Sequence, residues 1–177
     1  EFYINFKKQK IKVTTKLIGD FNILNILAAI LISHSLGIDI NKIINAIKKI
    51  RLVPGRFESF KKDNNGTIIV DYAHTPDAFE KMLSLIKKID KQKKIITLFG
   101  CGGDRDNLKR PLLGQISEKY SDEVIITDDN PRFENPEKII NDIISGFSSA
   151  NYSIINNRKD AIKKAISKLT SKEILII

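Results

Sequence analysis

Hydrophobic and polar positions change their period along the chain, and the change divides it. Over residues 2–18 apolar side chains alternate loosely (Phe2, Ile4, Phe6, then Ile11 and Val13), which predicts two strands. After Gly19 the period lengthens. Ile23, Leu24, Leu27, Ala28, Leu31 and Ile32 recur at helical spacing, and Gly37 predicts the helix end. Asp39 or Asn41 opens a second helix, running to about Ile50, with Ile43, Ile44 and Ile47 turned inward. The segment LVPGRFES then reads as a turn and a domain boundary, separating residues 1–54 from residues 55–177.

Beyond that boundary short apolar runs alternate with amphipathic stretches. TIIVDYA, KIITLFG, EVIITD, a weak YSII and a final EILII predict strands. PDAFEKMLSLIKKI, PLLGQISEKY, PEKIINDIISGF and RKDAIKKAISKLT predict the helices between them. This alternation implies βαβ units, hence an α/β, Rossmann-like fold with a mostly parallel sheet flanked by helices. Pro76, Pro111 and Pro136 each stand where a helix should begin, a position that does not need the missing N–H. The loops before them are DYAHTPD, GCGGDRDNLKRP and TDDNPRFENP. Each follows a strand, so all three are expected on one rim, outside the C-terminal strand ends where ligands of open α/β sheets bind.

Composition narrows the class. The chain has 177 residues, 42% of them hydrophobic, enough for a sizeable core. The lone Cys101 excludes a disulfide framework and points to a reducing compartment, the cytoplasm. No apolar run approaches the roughly 18 residues needed to span a membrane. The first residue is glutamate, and the chain reads as a piece of a longer protein. Net charge is +9, which raises the alternative of a basic α/β module binding nucleic acid. The lysines are scattered, however, and no RNP, KH or helix-turn-helix pattern accompanies them. A solvated lysine surface is the simpler reading.

That lysine bias makes arginine informative. Of 30 basic residues only Arg51, Arg56, Arg105, Arg110, Arg132 and Arg158 are arginine. A guanidinium presents a rigid fork to carboxylate or phosphate that lysine cannot copy. Arg56, Arg105, Arg110 and Arg132 sit in Gly- or Pro-marked loops, Arg51 lies just upstream of one, and Arg158 looks isolated.

Three constellations follow. GCGGDRDNLKRP packs three glycines into four residues after a strand, which lets backbone approach a ligand closely, with Arg105, Lys109 and Arg110 adding positive charge. It is neither a Walker A loop nor a full GxGxxG. Cys101 within it has no evident His or acid partner, so it reads as a small buried residue rather than a nucleophile. In VDYAHTPDA, Asp71 ends a strand and suits ribose hydroxyls or a metal. His74 suits a phosphate, or else only the turn that Thr75 closes as a helix cap. In DDNPR, Arg132 offers a bidentate carboxylate partner, and Asp129 and Asn130 offer acceptors for an ammonium. Both ends of an amino acid would fit there. Asn22 and Asn25 stand three apart at a helix start. Asn22 is a candidate N-cap and Asn25 a candidate ligand contact, while Arg56 follows a turn at the domain boundary. His34 reads as a packed or surface histidine.

Together these motifs resemble the Mur ligases of peptidoglycan synthesis. GDFNILNILAA is similar to the end of that family's central ATPase domain, and PGRFE to its interdomain junction. VDYAHTPD, GGDRDNLKRP and TDDNPR resemble the carboxy-terminal domain of its diaminopimelate-adding branch. The resemblance implies that residues 1–54 end the ATP-binding domain and that residues 55–177 form an amino-acid-binding domain cut short at its end. It implies an ATP-dependent ligase that joins meso-diaminopimelate to UDP-N-acetylmuramoyl-L-alanyl-D-glutamate through an acyl phosphate, as a cytoplasmic monomer. Arg105, Asp129, Asn130, Pro131 and Arg132 would hold the amino acid. Asn22, Asn25, Arg56 and Asp71, and more weakly His74, would contact ATP. The phosphate loop and magnesium ligands of the family would lie upstream of residue 1, so no catalytic or metal residue is assigned here and the chain alone is expected to be inactive. Folylpolyglutamate synthetases share the Pro-Gly-Arg and Asp-x-Ala-His-x-Pro features, but should lack DDNPR.

Overall fold

The computed structural model describes residues 1–177, which divide into two compact units, Glu1–Phe57 and Glu58–Ile177. The first begins with a hairpin of β1 (Phe2–Phe6) and β2 (Gln9–Val13), antiparallel, with Phe2 opposite Val13. Two helices follow, α1 (Phe21–Ser35) and α2 (Ile40–Lys49). Of the two expected starts for α2, Asp39 is the cap: its Oδ1 accepts from the N–H groups of Asn41 and Lys42 at 2.9 and 3.3 Å. Leu36 ends α1, and Gly37 beyond it takes a φ of 83°, the left-handed conformation in which helices commonly stop. Val13, Ile26, Ile30, Ile43, Ile44 and Ile47 close the core of this unit. The outer side of α1 is also apolar, with Leu24, Leu31 and Ile32 more than half exposed.

The second unit is built on a six-stranded sheet in the order β3-β4-β8-β5-β6-β7. Its strands are β3 (Glu58–Lys61), β4 (Thr67–Val70), β5 (Lys94–Phe99), β6 (Glu123–Ile126), β7 (Tyr152–Ile154) and β8 (Glu173–Ile176). Its helices are α3 (Pro76–Ile89), α4 (Lys109–Tyr120), α5 (Pro136–Ile144) and α6 (Arg158–Lys168). All pairings are parallel except β3 with β4. The polar β3 carries no apolar run because, as an edge strand, it needs only one neighbour. That is why the hydrophobic pattern does not reveal it.

Chain direction places the helices. The steps from β4 to β5, β6 and β7 all run one way across the sheet, and the step from β7 back to β8 runs the other way. Right-handed crossovers therefore put α6 on the face opposite α3, α4 and α5. Alternate residues of β5 show both faces. Ile96 and Leu98 pack with Ala161, Ala165 and Leu169 on the α6 side, whereas Phe99 meets Phe79 of α3, ring centroids 5.2 Å apart.

Pro76 and Pro136 do open their helices, behind the caps Thr75 and Asn135. Pro111 does not. Helix α4 begins two residues earlier, at Lys109. Proline is still tolerated there because the first-turn N–H groups have no partner within the helix.

Candidate functional site

The three loops meet, as their positions after strands require. A cavity of about 700 Å³ opens over the C-terminal ends of β4, β8, β5 and β6. Asp71, Tyr72 and His74 line it from the first loop, Gly100, Cys101, Gly102, Arg105 and Asp106 from the glycine loop, and Asp129, Asn130 and Arg132 from the third. Phe79, Met82, Leu98 and Ile176 supply apolar lining.

The glycines are there for close approach. A Cβ on Gly103 would lie 1.9 Å from the Pro131 carbonyl oxygen, and one on Gly102 would lie 2.9 Å from Arg132 Nη1. The loops consequently bond directly: Gly103 N–H donates to the Asn130 backbone O at 2.8 Å, and the Arg132 side chain donates from Nη1 to Gly103 O at 2.6 Å. Arg132 itself takes a φ of 51°, stabilised by its N–H donating to Asn130 Oδ1 at 3.2 Å. Asn130 thus builds the turn that aims Arg132. Pro131 stands behind the rim. It lines a separate small hollow with Cys101, Thr127 and Asp128, and its carbonyl accepts from Glu134 N–H at 2.9 Å. Asp128 supports the same turn through its backbone, donating to Asn156 O at 3.0 Å.

The first loop is tied to the second. Lys109 Nζ donates to the His74 carbonyl at 2.9 Å. Asp71 Oδ1 accepts from Ala73 N–H at 2.8 Å, and His74 Nδ1 lies 3.1 Å from Tyr72 O, which makes Nδ1 the protonated nitrogen.

Two arginines depart from expectation. Arg158, isolated in the sequence, lines the cavity from the start of α6. The rule that placed the three loops also covers this one, because α6 follows β7 at the same sheet edge; the absence of a proline or glycine mark hides it. Arg110, expected as a loop charge beside a ligand, is fully buried in the first turn of α4. Its Nη1 and Nη2 grip Glu134 Oε1 and Oε2 at 2.6 and 2.7 Å, Nη1 reaches Asp142 Oδ2 at 2.8 Å, and Nη2 reaches Gly102 O at 3.2 Å. The fork holds the Glu134 carboxyl down at about 2. No local signal in the sequence pairs Glu134 with Arg110.

Arg105, Lys109, Arg132 and Arg158 therefore face one cavity, and none forms an ion pair. Such a cluster over an apolar floor attracts anionic groups. Asp71, Asp106 and Asp129 supply acceptors on the same walls. Burial pushes the Cys101 thiol up to about 11, as befits a packed residue rather than a nucleophile.

The remaining candidates lie in the first unit. Asn22 is not the cap of α1: Asp20 holds that position and the helix has begun by Phe21. Asn22 N–H already donates to Gly19 O at 3.0 Å, so its side chain is past the capping position. Asn22 Nδ2 instead donates to Ile18 O at 2.7 Å, and its Oδ1 receives Asn25 Nδ2 at 3.2 Å, which leaves the two amides side by side on the first turn. Arg56 follows Gly55, which has a φ of 69°, in a turn closed by Arg56 N–H to Val53 O at 3.0 Å. His34 packs edge-on against Phe6 at 4.8 Å.

Residues 55–177 match the profile of the Mur ligase glutamate ligase domain. The chain belongs to the Mur ligase family. Among Mur ligases, a UDP-N-acetylmuramoyl-L-alanyl-D-glutamate–2,6-diaminopimelate ligase from Fusobacterium nucleatum is 43% identical over 175 residues, covering 98% of this chain and 36% of that protein. The Bacillus cereus enzyme of the same name is 44% identical, covering 96% and 34%. The chain thus spans about a third of the length of these relatives. A solved structure of a ligase of that name superposes with a TM-score of 0.65 at 34% identity, covering 99% of this chain and 36% of the other. A Mycobacterium tuberculosis folylpolyglutamate synthase with ADP shares the fold, with a TM-score of 0.74 at 19% identity, covering 93% and 38%.

A nucleic-acid module finds no support in these Mur ligase likenesses. On the outer face of α3 and α4, Lys81 and Lys119 each pair with a carboxylate at 2.8 Å and Lys87 with one at 3.6 Å, as on an ordinary solvated surface.

Proposed function

We propose that the cavity holds the amino-acid substrate of an ATP-dependent amide-forming ligase, and that this substrate is meso-diaminopimelate, added to UDP-N-acetylmuramoyl-L-alanyl-D-glutamate in peptidoglycan synthesis. One observation carries the reading. Arg132 is aimed over the glycine loop by its bond to Gly103 O, with Asp129 and Asn130 beside it on the same wall. A guanidinium next to acceptors suits the carboxylate and ammonium of one amino-acid end. Arg105, on another wall, can share that carboxylate, and Arg158 lines the same cavity. Diaminopimelate differs from lysine by one carboxylate, and a desolvated arginine left unpaired would penalise lysine.

In this reading ATP, when bound, turns the peptide carboxylate into an acyl phosphate that an amine can attack. The residues of this chain bind and orient. Arg132, Asp129, Asn130 and Arg105 fix the far end of the amino acid, so that its other amine is presented without searching orientations. Pro131 keeps the Arg132 turn rigid. The apolar floor excludes water that would compete for the activated carboxyl. Asp71 and His74, which line the cavity from the β4 side, would contact the nucleotide. The His, Cys, Asp and Glu side chains of this chain form no group of three that could hold a metal.

Residues 1–54 are read as the end of the ATP-binding domain, with Asn22, Asn25 and Arg56 as nucleotide contacts. The apolar outer side of α1 supports this, since a helix apolar all round is normally packed on both sides within a larger domain. The test is incorporation of radiolabelled meso-diaminopimelate into the UDP-linked dipeptide by the full-length protein with ATP. Incorporation of L-lysine in its place would overturn the substrate assignment, and absence of any ATP-dependent product would overturn the reaction.

A further inference from the structure

We infer that Arg110 is the positioning residue of the amino-acid clamp: its buried fork locks the glycine loop to the DDNPR loop and thereby sets where Arg132 and Arg105 stand. The inference rests on the amino-acid reading of the cavity. Arg110 does not line the cavity. Its side chain lies beneath the rim, fully buried, and bonds three separate segments: Gly102 O in the glycine loop, Glu134 after the DDNPR run, and Asp142 on α5.

Glu134 passes the connection on. Its Oε2, gripped by Arg110 Nη2, also accepts the backbone N–H of Asp104 at 3.1 Å. Asp104 answers in kind, its Oδ2 accepting Phe133 N–H at 3.0 Å. Two reciprocal bonds therefore clasp the loops just beside Arg105 on one side and Arg132 on the other. The clasped residues are under strain. Asp104 and Arg132 take φ values of 50° and 51°, a region that costs non-glycine residues free energy and persists only where surroundings impose it.

A device for stability alone would look different. Burying a guanidinium between two carboxylates is often no better than apolar packing of the same volume. Here Arg110 Nε is also left buried without a partner, a cost the fold tolerates. What the cluster achieves that apolar side chains cannot is direction: a planar fork fixes the Glu134 carboxylate, and the carboxylate fixes Asp104. Lysine at this position would keep the charge and lose the fork.

The test uses the full-length ligase carrying Arg110→Lys and, separately, Glu134→Gln, with Arg132→Ala alongside. We expect KM for meso-diaminopimelate to rise about tenfold or more, as small misplacements of binding groups do. The preference for meso-diaminopimelate over L-lysine in kcat/KM should fall by a similar factor, while KM for ATP changes less than about twofold. Equal losses for every substrate, or none, would overturn the positioning role. If Arg110→Lys does not fold, Glu134→Gln carries the same expectation. Amide hydrogen exchange separates this idea from the amino-acid reading. Lost protection at Gly103, Asp104, Phe133 and Glu134 in either variant supports the clasp whatever the ligand, and unchanged protection refutes it. An Arg132→Ala enzyme with an unaltered KM for meso-diaminopimelate would instead refute the amino-acid reading.

Discussion

Arg132 reaches back across the rim to Gly103, its Nη1 donating to that carbonyl oxygen at 2.6 Å, so the cation at the cavity is anchored by a peptide group and not by an acid. A carbonyl steers the guanidinium without neutralising it. The charge remains for a ligand, and the other donors of the fork remain available for a carboxylate.

Arg132→Ala in the full-length ligase should therefore weaken the amino acid selectively. Losing a charge-assisted pair costs about 2 kcal/mol, or roughly a thirtyfold rise in KM for meso-diaminopimelate. KM for ATP should hold nearly constant. Arg132→Lys should recover only part of the loss, because an ammonium cannot make the paired bonds. Steady-state kinetics with each substrate varied in turn decides this, and parallel losses for both would make the motif structural.

Gly103→Ala should be more damaging than its size suggests. The added methyl would lie 1.9 Å from the Pro131 carbonyl oxygen, and backbone cannot swing aside as a side chain can. We expect a stability loss of about 2 kcal/mol, typical of overpacking, together with a higher KM for the amino acid as the DDNPR loop is pushed outward. Thermal unfolding measures the first effect and kinetics the second. A Gly37→Ala control should raise no such clash, because open space surrounds that position, though its φ of 83° still costs some stability.

Acid should unlock the clasp. The Arg110 fork lowers the Glu134 carboxyl from its ordinary 4.5 to about 2, and bonds from the Ser148 backbone and the Ser149 and Ser148 hydroxyls lower Glu118 to about 2 as well. A carboxylate lowered in the folded state contributes stability that is fully present above pH 4.5 and is lost as pH falls toward 2. Denaturant unfolding between these limits should show stability falling with pH. Glu134→Gln and Glu118→Gln should each flatten that slope, and a slope unchanged by both would place the acid sensitivity elsewhere.

Cys101 should resist alkylation in the native protein. Burial holds its thiol near 11, so little thiolate exists at pH 8. Iodoacetamide should label it only at the rate of opening, with denaturant accelerating the reaction. Fast labelling of the folded protein would contradict the packed position.

Much of this architecture is legible in the amino-acid sequence. Period-2 alternation locates β1 and β2, short apolar runs locate most of the parallel strands, and helical spacing locates the helices. A strand covered on both faces needs apolar residues throughout, whereas a helix buries one stripe. The rule that ligands gather at C-terminal strand ends is enough to bring DYAHTPD, GCGGDRD and TDDNPR to one rim. The edge strand β3 stays hidden because one-sided pairing demands no apolar run. The start of α4 is misplaced by sequence pattern because proline is accepted anywhere in a first turn, so Pro111 marks the turn and not its first residue.

Local pattern thus determined the alternating α/β class and the shared rim that carries Arg132 and Arg105. Each depends on neighbours in sequence or on a period that the chain itself repeats. Only the tertiary structure decided where Arg158 and Arg110 stand. Arg158 belongs to the cavity because the return crossover through α6 brings its start to the same sheet edge as the three loops. Arg110 belongs beneath it because Glu134 and Asp142, 24 and 32 residues away, close around it. A guanidinium in a polar loop reads the same whether it will meet solvent, ligand or a buried acid. Its role is settled by carboxylates brought in from distant segments, and no local period encodes that encounter.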